Sequence, residues 1–65
     1  MEDVMVTPAG SVVRFRLCSP AAHEWVRENV QLESWQWLGV AVFAVDWRYA
    51  SPIMRGMLDA GLLVV

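Results

Sequence analysis

Lysine is absent from this 65-residue chain, and cysteine and histidine occur once each, as Cys18 and His23. A lone thiol rules out an internal disulfide, and one thiol with one imidazole falls short of the four ligands of a structural zinc site. There is no glycine-rich phosphate loop, no paired-cysteine motif, no zinc-protease helix and no GxSxG elbow. These absences argue against the common nucleotide and metal enzymes, and no cofactor is expected. Basic charge is scarce as well. Five arginines against seven carboxylates leave a net charge of −2, whereas binding driven by phosphate neutralisation needs a net basic footprint. A nucleic-acid partner is therefore not expected. The longest uncharged apolar run, Trp37 to Val45, has nine residues, far below the roughly 20 that span a bilayer. No membrane partner is expected either. The start, Met1-Glu2-Asp3, lacks the basic and apolar regions of a signal peptide. With no paired cysteines, the reading places the chain in a reducing cytoplasm.

What is abundant is apolar surface. Hydrophobic residues make up 57% of the chain, with four Trp and four Met, more than one small core can hide. Residues 1–65 are read as a single domain near the lower size limit for an independent fold. The surplus predicts an exposed apolar patch, and such patches mark partner surfaces. A homodimer, or contact with a host or phage protein, is the expected way to cover it.

The pattern along the chain sets the fold class. Val4 to Thr7 is a short strand candidate, ended by Pro8-Ala9-Gly10. Ser11 to Cys18 alternates, with Val13, Phe15 and Leu17 on one face and Arg14 and Arg16 on the other, as in a half-buried hairpin strand. Ser19-Pro20 caps a helix whose inward stripe is Ala22, Trp25 and Val26, ending near Asn29. Residues 30–36 read as a loop. The uncharged run then predicts a central strand over 38–45 with both faces apolar, Trp37, Ala41, Phe43 and Val45 on one and Leu38, Val40, Val42 and Ala44 on the other. A second helix begins at Ser51-Pro52, or earlier near Trp47, buries Ile53, Met54, Met57 and Leu58, and ends at Gly61. Residues 62–65 predict a closing strand. The order β-β-α-β-α-β gives an α/β (α+β) two-layer sandwich, with a mixed sheet of about four strands and both helices on one face.

Candidate site residues follow from this layout. The open sheet face is the expected interface, with Leu38, Val40, Val42, Trp35, Trp47, Arg14 and Arg16 as its members. Arginine and tryptophan are enriched at binding hot spots, although charges on a strand also serve simply to keep its surface soluble. The chain is not expected to be an enzyme. The alternative is a small-anion binder or thiol enzyme: Cys18 near a helix start with His23, oriented by Glu24 or Asp46, beside a cationic group of Arg14, Arg16 and Arg48 flanked by Trp47 and Tyr49.

Several short motifs also resemble small uncharacterised proteins encoded in phage and prophage genomes. They are Gly10-Ser11-Val12-Val13, Ser19-Pro20-Ala21-Ala22 with Trp25, Glu28 and Asn29, then Arg48-Tyr49-Ala50 and Gly56-Met57 with Asp59, Gly61 and Leu62. The likeness spans most of residues 10–63 and departs at Leu38-Gly39, where that group has Gly-Gly before the strand. It implies a phage or prophage accessory role and carries no activity or site residue with it.

Overall fold

The computed structural model describes all 65 residues. The fold is α+β: a three-stranded antiparallel sheet with two helices. Strand β1 (Val4–Ala9) and strand β2 (Val12–Leu17) form a hairpin, paired from Val4↔Leu17 to Ala9↔Val12. The connection is only two residues, Gly10-Ser11, where a longer loop was expected. Gly10 has φ +72° and no other turn residue has positive φ, the pattern of the type II′ turn that suits right-twisted strands. Pro8 stays inside β1 at no cost to the ladder. The N–H groups of Val4 and Val6 point away from β2, toward Leu63 and Val65, so the missing N–H of Pro8 lies on that same outer edge.

Helix α1 (Pro20–Asn29) starts as the sequence dictates, with Ser19 Oγ accepting from the Ala22 N–H at 3.1 Å. It buries Ala22 and Val26. A single 3₁₀ turn, Ser34–Gln36, precedes strand β3 (Val42–Asp46), which pairs antiparallel with β2 from Val12↔Asp46 to Arg16↔Val42. Helix α2 (Trp47–Asp59) follows without a linker, capped by the Asp46 side chain. This is the earlier of the two expected starts. Pro52 therefore sits inside the helix and forfeits the bond to the Arg48 carbonyl, at a place where both residues are exposed. The helix ends in a Schellman motif: Leu62 N–H donates to Met57 O and Gly61 N–H to Leu58 O, each at 3.0 Å, with Gly61 at φ +86°. Leu62 and Met57 are both buried, closing the accompanying apolar contact.

Three expectations need correction. The central strand is β2, and the apolar run supplies an edge strand. Its first half, 38–41, is a bend and not strand: Leu38 N–H turns back onto Val42 O at 2.8 Å, and only Ala41 O still reaches β2, accepting from Leu17 N–H at 2.7 Å. The sheet is antiparallel throughout, since the connection through α1 returns the chain beside β2 in the opposite sense. The expected fourth strand is reduced to one isolated parallel bridge, Val4↔Val64.

One side of the sheet is the core face. Val4, Val13, Phe15, Leu17, Phe43 and Val45 pack there under Ala22 and Val26 of α1 and Ala50 and Met57 of α2. Phe15 and Phe43, cross-strand partners, stack with centroids 4.9 Å apart and planes within 4°, and Trp37 meets Phe43 edge-on at 5.5 Å. The aromatic rings thus close the middle of the core. No helix is long and apolar enough to cross a membrane.

Candidate interface on the open sheet face

The other side of the sheet has no helix over it. Period-two alternation puts Arg14 and Arg16 of β2 on that side, and pairing supplies their neighbours. One row across the sheet is Met5, Arg16 and Val42; the next is Thr7, Arg14 and Ala44; the last is Ala9, Val12 and Asp46. The guanidinium stems are thus flanked by neutral residues. Of the three ion pairs, Arg27–Glu24, Arg48–Asp46 and Arg55–Asp59, none involves Arg14 or Arg16. The only carboxylate in these three rows is already engaged. Asp46 accepts from Arg48 Nε at 3.0 Å, from its NH2 nitrogen at 3.3 Å, and from its backbone N–H at 3.0 Å. Those bonds hold its carboxyl below the usual range and raise the Arg48 guanidinium.

Beside Arg14 a groove of about 550 Å³ opens, lined by Val12, Trp35, Leu38, Ala44 and Tyr49 with Gln36 and Asp46 at its rim. Trp35 is 77% exposed on the 3₁₀ turn and Leu38 is 58% exposed in the bend after it. A smaller depression of about 160 Å³ continues past Arg14 and Arg16 toward Met5, Thr7 and Val42. The surface therefore runs from an aromatic, apolar end to a cationic end.

Both lateral edges of the sheet are occupied by the chain itself. Along β1 lie residues 63–65: Leu63 O accepts from Asp3 and Val4, Val65 O accepts from Val6, and Val65 N–H returns to Val4 O. The Leu63 N–H donates to Asp3 Oδ2 at 2.8 Å, and that bond, with a lesser one from the Ser19 hydroxyl, lowers the Asp3 pKa. Along β3, Trp37 bridges Phe43, Leu38 N–H meets Val42 O, and Gln36 Nε2 reaches Ala44 O at 3.4 Å. A capped edge offers little to a strand from outside.

Among the expected interface residues, Arg14, Arg16 and Val42 lie on the open face and Trp35 and Leu38 on the groove wall. Val40, 94% exposed, sits in the bend outside the strand. Trp47 opens α2 and is exposed, but it does not line the groove. Met5 and Val12 complete the face without having been singled out. Both follow from the alternation once the hairpin register is known, as Met5 stands opposite Arg16 and Val12 is two residues from Arg14.

The alternative constellation is drawn together only in part. Cys18 and His23 border one shallow depression with Glu24 and Arg27. The Cys18 thiol, however, points to Arg16 O at 3.7 Å, and Glu24 is engaged by Arg27 at 3.2 Å. Arg48 is neutralised by Asp46, so the cationic triad reduces to Arg14 and Arg16. No three His, Cys, Asp or Glu side chains converge on a metal-binding geometry. No protein-family model, curated protein or solved structure matches the chain.

Proposed function

We propose that this chain is a small protein-interaction module that works through the open face of its sheet, as a cytoplasmic accessory factor of the phage or prophage kind. The observation that carries the reading is an uncovered sheet face bearing two unpaired arginines beside an exposed Trp35–Leu38 groove. In so small a domain, large exposed apolar side chains next to arginine match the composition of binding hot spots. A partner seated there buries apolar area worth about 25 cal/mol per Å². Self-association would use the same face, because both sheet edges are occupied.

The test is affinity capture from the native cytoplasm with four forms of the chain, combined with light scattering. The native chain and a Leu58→Ala control, altered on an exposed site of α2, should retain the same protein. Trp35→Ala and Val42→Glu should lose it. Trp35→Ala should melt as the native chain does, since its indole is mostly exposed. A partner, or a dimer, that survives both face substitutions unchanged would refute the reading.

A further inference from the structure

We infer that the open face accepts an extended acidic segment of another protein, with two carboxylates in i, i+2 register and an apolar side chain beyond them, in preference to a second copy of this chain. The inference rests on the face being a binding surface and specifies what fills it. Charge complementarity decides the occupant. Arg14 and Arg16 are the only cations on the face, they have no ion-pair partner, and Asp46 is tied to Arg48.

A closed homodimer through this face either leaves the arginines facing no free carboxylate of the paired rows or, where the two-fold axis passes near them, opposes them to the arginines of the other copy. Either arrangement works against association. Sheet extension is blocked at either edge by residues 63–65 and 36–38. A single-stranded nucleic acid fits less well. The groove offers Trp35 and Tyr49 as stacking surfaces, but two arginines make too short a cationic path for a phosphate backbone.

The spacing then dictates the ligand. Arg14 and Arg16 stand two residues apart on one face of β2, roughly 7 Å along the strand. Carboxylates in i, i+2 positions of an extended peptide match that separation. The groove lies at the Arg14 end, toward Val12 and Trp35. The apolar residue therefore sits beyond the carboxylate that pairs with Arg14. The expected pattern is Glu/Asp-x-Glu/Asp with Leu, Phe or Trp about two residues further along, in either chain direction.

The probe is a displayed library of random dodecapeptides selected on the immobilised full chain, with oligo(dT) titrated separately. Selected peptides should carry the paired acidic pattern next to an aromatic or leucine. Their affinity should fall with added salt and drop about tenfold or more on Arg14→Gln/Arg16→Gln. The charge reversal Arg14→Glu/Arg16→Glu should turn the selection toward Lys and Arg. Both double variants should keep the native melting curve, since the altered side chains are exposed.

Peptides that need Trp35 but show no acidic enrichment would overturn this inference while leaving the face as a binding surface. So would tight oligo(dT) binding that depends on the two arginines, or a dimer that Arg14→Glu abolishes. Peptides indifferent to Trp35, Arg14 and Arg16 alike would overturn the binding surface itself.

Discussion

The contact between Gly56 and Trp25 sets how closely the two helices approach, and it yields a quantitative test of the packing. A Cβ added to Gly56 would lie 2.8 Å from Trp25 Cζ2 and 3.1 Å from Cη2. The first distance is shorter than side chains tolerate, and the obstacle is a rigid ring. Two terms then oppose one another in Gly56→Ala. Alanine in a helix interior gains about 0.8–1.0 kcal/mol over glycine, and Gly56 has an ordinary helical φ. Forcing a methyl group into an occupied space costs about 1–3 kcal/mol. The balance is a loss of about 1 kcal/mol, which in a domain this small lowers Tm by roughly 4–8 °C. Trp25→Leu removes both ring atoms in question, so in that background the same change should stabilise by about 1 kcal/mol. The double-mutant cycle, read by urea unfolding followed by circular dichroism, should thus give a coupling of about 2 kcal/mol with a reversal of sign. A Gly56→Ala effect that is stabilising in the native background, or the same in both, would refute the account of the helix contact.

Two further outcomes follow from the ends of elements. Ser19→Ala removes the hydroxyl that accepts from Ala22 N–H and should cost about 1 kcal/mol, measurable as a lower urea midpoint with an unchanged slope; an unchanged midpoint would show the cap to be idle. The Asp3 pKa is lowered from its ordinary 3.8 chiefly by the Leu63 N–H. Its contribution should therefore be complete above that value and drain away as pH falls below it, when the unfolded chain protonates first. The Leu63 amide resonance should titrate with a midpoint under 3.8, and Asp3→Asn should abolish that titration. A midpoint at or above the ordinary value would mean the tail is not held by this carboxylate.

Local chemistry was readable where one residue type answers one local need. Ser19-Pro20 marked the start of α1, Gly61 the end of α2, and the alternation from Val12 to Leu17 the two faces of β2. The inward stripe of Ala22, Trp25 and Val26 follows from helical spacing alone, and so does the separation of Arg14 and Arg16 from Phe15. The uncharged run from Trp37 to Val45 misled for a physical reason. Continuous hydrophobicity reports burial on two sides, yet here Val40 and Leu38 are exposed in a bend and only Val42–Asp46 is strand. The run is apolar on both faces without being central.

Composition and periodicity alone determined that this chain has one small core of mixed helix and strand, no means of cross-linking it, and more apolar surface than that core can absorb. The tertiary structure decided which strand is central, how the tail and the Gln36–Leu38 segment close the two edges, and which arginines are left without a counter-charge. Those outcomes depend on hydrogen bonds and ion pairs between residues as far apart as Asp3 and Leu63. Such pairings are chosen by the packing of the whole chain, so no window of sequence contains them.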